Sequence, residues 1–380
     1  MNRLNKTLLK FFNQIDEEYK SSFLPVVTTK KRLDSLLAGR PNLRYWCGAG
    51  KYCLVFAPTP LPIKKAPTSR PDRLGMVNGR LKVLRAMPLE EKIALAYRVL
   101  DRIFEVTRAV AVAFSGGRDS LVALHLTLQR RRDIKVVFIN TSIEFPETLK
   151  YVRELAQAWG FEFHEVRVQK NFWELSHERG LPIGGRGNQF FLAELSAASG
   201  VKLSNACCNQ LKITPARQFY REACIDAQVT GLRVDESMMR RFNFADYGAL
   251  RYSRDYGTLV AWPIFVWSTS DIMAYIEQYQ LPLNPLYAMG HQRVGGWSCM
   301  QDFFKTDSRL FTLRQTHPGM YKSLKNLFGE ELLAVLSAWG GLQERGFTLE
   351  HFDGLYTPCG LELLDPKQRS KEAGREEDIE

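Results

Sequence analysis

The stretch Ser115–Ser120, which reads SGGRDS, constrains the fold of this chain more than any other feature. It follows an apolar run at 109–114 that is typical of a buried strand, and a helical pattern begins near Asp119. Glycines at such a turn let the backbone approach a ligand with its N–H groups pointing outward, and a helix start adds partial positive charge. The stretch therefore predicts a pocket for a phosphate chain, formed by Ser115, Gly116, Gly117, Arg118, Asp119 and Ser120.

Strand and helix patterns alternate on both sides of this turn. Apolar runs at 134–139 and 161–168 enclose a helical pattern at 146–159, and further strand patterns lie at 225–229 and 259–262. Such alternation predicts an α/β fold with a doubly wound, mainly parallel sheet. Ligands of such sheets bind at the carboxyl ends of the strands, which is where the glycine turn falls.

The chain divides into four expected parts by composition. They are an N-terminal extension at 1–106, a nucleotide-binding core at 107–300, a helical C-terminal region at 301–364 and a charged, disordered tail at 365–380. Within the extension we expect an amphipathic helical part at 1–40, a proline-rich loop at 41–75 and a helix at 89–107.

The charge balance points to anionic partners. The 380 residues carry a formal net charge of +11, which suits either a nucleotide-phosphate substrate or a nucleic acid. No apolar run is long enough to span a membrane, and the N-terminus lacks the apolar segment of a secretory signal. The seven cysteines are scattered and odd in number, so we expect thiols or metal ligands in a cytoplasmic protein rather than a disulfide framework.

SGGRDS resembles the SGG[KR]DS signature of the PP-loop ATP pyrophosphatases, whereas the GxGxxG and GxxxxGK[ST] patterns do not fit. Further motifs, in the same order, resemble those of the phosphoadenosine phosphosulfate (PAPS) reductase family. The segment 140–148 resembles D-T-x-x-x-F-P-E-T, 231–237 resembles G-x-R-x-x-E-S, and 267–272 resembles a helix start of that family. Neighbouring motifs have the form of LPxNPLY at 281–287 and GCxxC near 299.

The resemblance assigns roles to the residues of these motifs. Asn140 and Thr141 would lie at the adenosine side of the nucleotide, with Asn140 where the family usually has aspartate. Gly231 would let the backbone approach the nucleotide, and Arg233 would neutralise phosphate or sulfate charge. The expected catalytic residues are Asp119, Lys212 and Arg233.

The cysteines add a second expectation. The segment 207–215, CCNQLKITP, resembles the CCxxxKxxP element of adenylyl-sulfate reductases, in which paired cysteines and a later CxxC bind a [4Fe–4S] cluster. Cys299 matches the second cysteine of that later motif, but Gly296 stands at the first. The implied ligands are Cys207, Cys208, Cys299 and, as a fourth, Cys359.

Alternatives remain open for several of these side chains. The adjacent cysteines also fit a packed thiol pair, and Cys359 also resembles the catalytic thiol in the E-C-G-L-H tail of the reductases. Cys224, at the start of an apolar run, is expected in the core. His125 is interpreted as a packed residue rather than a base.

Three functions follow from the resemblance. The complete PP-loop favours an enzyme that binds ATP and Mg²⁺, adenylates an acceptor and releases pyrophosphate, with a [4Fe–4S] cluster. Its acceptor would be DNA in phosphorothioation or tRNA in thiolation, and a cysteine desulfurase would donate sulfur. The first alternative is a PAPS or adenylyl-sulfate reductase that releases sulfite and uses a thioredoxin-like reductant. The second is a nucleotide-binding adaptor without turnover.

Overall fold

The computed structural model describes part of the chain in detail. The described residues are 26–28, 43–48, 51–56, 81–82, 84–183, 189–204, 206–237, 240–241, 243–244, 248–300 and 309–338. The expected disordered tail, the helical pattern around Phe11 and the thiol of Cys359 lie outside these ranges.

The chain forms two compact units. The first unit comprises 1–138, 153–166 and 216–283, and the second unit comprises 139–152, 167–215 and 284–380.

A single sheet of nine strands confirms the predicted α/β fold. The strands are β1 Val26–Thr28, β2 Leu43–Gly48, β3 Lys51–Phe56, β4 Val110–Ala113, β5 Lys135–Asn140, β6 Glu162–Arg167, β7 Ala227–Thr230, β8 Leu250–Ser253 and β9 Thr258–Ala261. Their order is β2-β3-β1-β8-β9-β7-β4-β5-β6. The chain leaves β4 towards β5 and β6 on one side and returns to β7 and β9 on the other, as a doubly wound sheet does.

Parallel pairing in the centre and antiparallel pairing at one end make this sheet mixed. β4 pairs in parallel with β5 and β7, and β7 pairs in parallel with β9. β8 is antiparallel to β9, with Leu250 opposite Ala261, and the sequence analysis did not predict this strand. The turn after β4 therefore lies where the winding direction reverses, the usual ligand position in such folds.

The proline-rich region is not the uniform loop that we expected. Strands β2 and β3 form an antiparallel hairpin within it, in a register that places Cys47 opposite Tyr52 and Cys53 opposite Trp46. The prediction is wrong at these positions because the prolines stop at Pro41 and resume at Pro58. Aromatic and β-branched residues, which favour strands, lie between them.

Nine α-helices accompany the strands in the described ranges. They are α1 Leu89–Val106, α2 Arg118–Arg130, α3 Pro146–Trp159, α4 Phe172–Arg179, α5 Gln189–Ser199, α6 Thr214–Glu222, α7 Thr269–Gln278, α8 Arg309–Thr316 and α9 Pro318–Ala338. The prediction of α3 is confirmed at both ends, and α1 lies within one residue of its expected span. None of the described helices has the length and apolar character needed to cross a membrane.

Each unit has its own apolar core. In the first unit, β4 contributes Val110 and Val112, and α2 contributes Leu121 and Leu124, all fully or almost fully buried. In the second unit, Phe145, Phe172 and Leu286 are buried with apolar residues of α8 and α9. These cores hold the polar segments described below in fixed positions.

Cys224 corrects one prediction. The thiol is exposed rather than buried, and the residue has a positive φ of 52°. It lies in the tight turn after α6, where the Ile225 N–H donates to the Tyr220 carbonyl at 2.8 Å. The apolar run starts only at Ile225, so the core begins one residue later than we expected.

Candidate functional site

The predicted phosphate loop connects β4 to α2 in the first unit. After β4, the Phe114 N–H still donates to the Val137 carbonyl at 2.9 Å, and Gly116 then turns the chain with a φ of 75°. Gly117 is the N-cap of α2. Since a positive φ strains any residue with a Cβ, the loop requires glycine at position 116.

Two serines fix the shape of this loop. The Ser120 hydroxyl donates to the Gly117 carbonyl at 2.8 Å and accepts from the Ser115 N–H at 3.2 Å. The Oγ atoms of Ser115 and Ser120 are 3.1 Å apart. Ser120 is buried and Ser115 is exposed, so only Ser115 lies at the open mouth of the loop.

Arg233 lies behind the loop, with its side chain only 6% exposed. Its guanidinium donates to the Trp267 carbonyl at 3.1 Å and to the Thr269 hydroxyl at 3.4 Å. Arg233 thereby joins the segment after β7 to the start of α7. The arginine predicted to balance phosphate charge is held by protein groups in this structure.

The third nitrogen of Arg233 approaches the loop itself. Arg233 Nε lies 2.9 Å from Asp119 Oδ1 in an ion pair. Both atoms are buried, and neither is aligned for a hydrogen bond with any group in the described part of the chain. The two opposite charges therefore attract each other, while Nε can still donate a hydrogen bond and Oδ1 can still accept one.

Gly231 brings the end of β7 against the start of α2. A Cβ at this position would lie 2.6 Å from the Asp119 carbonyl carbon and 2.7 Å from the Ser120 nitrogen. Both are backbone atoms, which cannot move aside without moving the loop. The close approach that requires glycine here is thus to the phosphate loop itself.

A capping box fixes the start of α7. Ser268 Oγ accepts from the Asp271 N–H at 3.1 Å, the Asp271 carboxylate accepts from the Ser268 N–H at 2.6 Å, and buried Lys92 donates to it at 2.8 Å. Burial works to raise the pKa of Asp271, but the bonds from Lys92 and Ser268 outweigh it and hold the pKa below its ordinary value. The sequence predicted the cap, but it gave no sign of Lys92.

His125 lies on α2 in an aromatic group of the first unit. Its Nδ1 is 2.8 Å from the Tyr275 hydroxyl, and its ring packs against Trp159 and Tyr279. Burial, with a smaller effect of Arg132, holds the pKa of His125 below its ordinary value. These contacts support its interpretation as a packed residue.

The segment that follows β5 belongs to the second unit. Asn140 Oδ1 accepts from the Ser142 N–H at 3.0 Å, and Thr141 donates to Glu144 at 2.6 Å. Ser142 has a φ of 69°, and its hydroxyl accepts from the Phe172 N–H at 3.2 Å. Asn140 thus caps this turn with its carbonyl oxygen, which an aspartate oxygen could do equally well.

Three contacts hold this segment from the C-terminal side of the second unit. Asn284 donates to the Thr148 hydroxyl at 3.1 Å, and the Trp297 N–H donates to the Ile143 carbonyl at 2.8 Å. His317 Nε2 lies 3.2 Å from a Glu147 oxygen. Sequence reasoning identified the motif around Asn284 but missed His317, because an isolated histidine before a proline has no recognisable signature.

Three of the four predicted cluster ligands come together in the second unit. Burial, reinforced by the neighbouring Cys208 and Cys299 and opposed by Lys212, raises the pKa of the Cys207 thiol to about 12. Lys212 lies in a π-helical turn at Asn209–Ile213, directly after the paired cysteines, and its charge is close enough to act on the Cys207 thiol.

The described thiols do not fit a four-thiolate cluster. A Cβ at Gly296 would lie 2.4 Å from Ile143 Cδ1 and 2.6 Å from Ile143 Cγ1, so a ligand side chain at that position would have to displace Ile143 or the turn. In the described ranges, no group of three or more His, Cys, Asp or Glu side chains is placed to hold a metal ion. The same holds around Asp119, where no such group of side chains in the described ranges is placed to hold Mg²⁺.

Comparison with known proteins supports the family resemblance. An uncharacterized protein of Methanocaldococcus jannaschii, MJ0066, is 33% identical over 198 residues, which are 51% of this chain and 37% of that protein. A phosphoadenosine 5'-phosphosulfate reductase of Xanthomonas oryzae pv. oryzae is 27% identical over 274 residues, 71% of this chain and 95% of the relative. This chain therefore spans less than half of the archaeal relative.

The chain also resembles a solved structure and matches a protein-family model. The PAPS reductase of Candida auris in complex with phosphate superposes with a TM-score of 0.39 at 19% identity, over 63% of this chain and 98% of that chain. The phosphoadenosine phosphosulfate reductase domain matches residues 109–302, half of the chain, which include the phosphate loop and Cys299. The chain thus belongs to the phosphoadenosine phosphosulfate reductase domain family.

Proposed function

We propose that this protein is a PP-loop ATP pyrophosphatase that activates an acceptor oxygen for replacement by sulfur. The acceptor oxygen attacks the α-phosphorus of ATP, the bond to the β-phosphate bridging oxygen breaks, and pyrophosphate leaves. Hydrosulfide, formed from the persulfide of the sulfur donor by two-electron reduction with a dithiol, then attacks the activated carbon or phosphorus of the acceptor, and the adenylated oxygen departs with AMP.

The complete phosphate loop is the observation that carries this proposal. The positive φ at Gly116 and the helix start at Arg118 are the backbone features that suit binding of a pyrophosphate leaving group by main-chain N–H groups. The loop also lies after β4, where the winding of the sheet reverses. In this assignment, Ser115–Ser120 hold the phosphates and Mg²⁺ shares their charge.

Arg233 and Asp119 have positioning roles in this proposal. Their ion pair, together with the contact of Gly231, holds the start of α2 in place behind the phosphates. The positive charge of Arg233 remains available through space to stabilise charge that develops on the leaving group. Asn140 and Thr141 are assigned to the adenosine, and Lys212 to an anion near the thiols.

The proposed acceptor is a nucleic acid, DNA or tRNA, and the proposed sulfur donor is a cysteine desulfurase. The net charge of +11 favours an anionic acceptor. The arginines at the end of α2 contribute to this positive charge, although they also form contacts within the protein. Arg130 forms two bonds to Asp101, and Arg132 donates to the Trp159 carbonyl. The attraction is therefore general rather than a base-specific contact.

A sulfonucleotide reductase is the second candidate. The relative from Xanthomonas oryzae, which this chain matches over 95% of its length, is named as such a reductase. In that case PAPS or adenylyl sulfate occupies the loop, sulfite leaves, and the electrons come from a thioredoxin-like dithiol through Cys359. The half-buried Cys207, with its raised pKa, does not suit the role of the attacking thiolate.

The proposal involves no step through an iron–sulfur cluster. Cys207, Cys208 and Cys299 supply three thiols, and the fourth expected ligand, Cys359, lies outside the described residues. The cluster remains a prediction, tested by the iron and acid-labile sulfide content of anaerobically purified protein with and without C359S.

Pyrophosphate release from Mg–ATP tests the proposal directly. Anaerobically purified protein is incubated with ATP, PAPS or adenylyl sulfate, with and without DNA or tRNA, and both pyrophosphate and sulfite are measured. Pyrophosphate without sulfite is the expected result. Sulfite without pyrophosphate establishes the reductase, and binding without turnover of any of the three nucleotides indicates the adaptor.

A further inference from the structure

Ile143 contacts the cysteine-bearing turn in two ways. Its carbonyl accepts the Trp297 N–H at 2.8 Å, and its side chain lies where a Cβ of residue 296 would be. Ile143 is itself 3% exposed within the core of the second unit. The contact is therefore fixed on both sides by packing.

Gly296 is what permits this contact. With no side chain, residue 296 lets the backbone lie against Ile143, while a Cβ would approach Cδ1 and Cγ1 to 2.4 and 2.6 Å. Real Cβ atoms do not come this close to carbon, so any larger residue would have to displace Ile143 or the turn.

The same turn carries Cys299. The Cys299 N–H donates to the Gly296 carbonyl at 3.1 Å, so the position of Gly296 determines where the backbone of Cys299 lies. Cys299 in turn lies close enough to Cys207 for the two thiols to interact. The chain of contacts thus runs from Ile143 through Gly296 to the thiols.

We propose that Ile143 determines the composition of the thiol site: its backbone positions Cys299, and its side chain excludes a ligand at position 296. At this site the described part of the chain consequently offers three thiols, and the side chain of Ile143 occupies the place of a fourth. This inference concerns only the second unit and does not depend on the reaction proposed above.

The first test needs no metal. Thermal midpoints are compared for the wild type, G296A, I143A and I143A/G296A, with G319A as a matched control because a Cβ at Gly319 meets nothing within 4 Å. G296A should clearly lower the thermal midpoint of the wild type. The same substitution in the I143A background should lower the midpoint by less than half as much. An equal loss in both backgrounds would overturn the proposal.

The second test measures metal loading on the full chain. G296C, I143A and I143A/G296C are reconstituted anaerobically with ferrous iron and sulfide, and bound iron and acid-labile sulfide are determined per chain. I143A/G296C should bind at least twofold more iron than G296C or I143A. Equal iron in G296C and the double variant, whether high or low, contradicts exclusion by Ile143.

The two proposals can fail separately. Absence of pyrophosphate release by the wild type would remove the proposed function and leave the comparison between G296A and I143A/G296A unchanged. Conversely, equal iron loading of the variants would remove the role of Ile143 while the nucleotide assay stands.

Discussion

Arg233 Nε and Asp119 Oδ1 lie 2.9 Å apart, and the other two nitrogens of Arg233 bind the start of α7. One buried guanidinium therefore joins the helix that begins at the phosphate loop to the helix that begins at Thr269. We expect this arginine to be important for both folding and nucleotide affinity.

Replacing Arg233 tests this double role. R233A should lower the free energy of unfolding by about 2–3 kcal/mol. This cost is smaller than that of breaking a fully buried ion pair, because the Asp119 side chain is 23% exposed. R233K keeps the charge but loses the planar fork, so it should recover part of the stability and little of the ATP affinity. Chemical denaturation and calorimetric ATP titration measure the two effects. R153K is the control, since Arg153 pairs with Glu165 at the surface.

The loop glycines give a second prediction. G116A must adopt a φ near 75°, which costs about 1–2 kcal/mol for a residue with a Cβ, and it should bind ATP at least tenfold more weakly. G117A has ordinary backbone angles, so its loss should come from the added methyl group at the phosphates. ATP affinity in both variants that matches the wild type and G319A would contradict the assignment of this loop.

Thiol reactivity is expected to separate the cysteines. Because the pKa of Cys207 is raised to about 12, its thiol stays protonated and should resist iodoacetamide between pH 7 and 10. Exposed Cys224 should be alkylated readily over the same range. Mass spectrometry of the peptides after timed labelling measures both. Alkylation of Cys207 as fast as Cys224 in folded protein would refute its burial beside the other thiols.

The bond between Lys92 and Asp271 predicts a loss of stability in acid. The pKa of Asp271 is below its ordinary value in the folded protein. Ionised Asp271 therefore makes its full contribution to the free energy of unfolding above the unfolded-state pKa of about 3.9. That contribution is lost as the pH falls through the lower pKa of the folded state. D271N should therefore cost about 1 kcal/mol at pH 7 and progressively less below pH 4. Denaturant unfolding at a series of pH values checks this, and a cost independent of pH would contradict it.

Local patterns were sufficient to predict much of the sheet and the phosphate loop. The apolar run before Ser115 and the helical pattern after Asp119 are continuous in sequence, so their structures could be inferred from neighbouring residues alone. The same holds for Pro146, which begins α3 as predicted. By contrast, the strand at Leu250 is only four residues long, and it pairs with neighbouring β9 and with distant β1, which its own short pattern does not predict.

The site could be predicted only in part, for the same reason. Motifs identified Gly231 and Arg233, but their partners in space, Asp119 and Trp267, are set by the fold. Likewise, the sequence showed that Gly296 replaces a cysteine, whereas the occupation of that place by Ile143 depends on a contact across more than 150 positions of the chain.

The hydrogen bonds between the loop serines determine what each hydroxyl can offer to a phosphate. Ser120 has one proton, which it gives to the Gly117 carbonyl, so it can only accept from Ser115. Ser115 must then break its own bond to Ser120 before it can donate to an incoming oxyanion. A phosphate therefore exchanges one hydroxyl bond for another at this position. In the proposed function, the net gain in affinity therefore comes from the main-chain amides of the turn and from the charges of Arg118 and Arg233, rather than from the two serine hydroxyls.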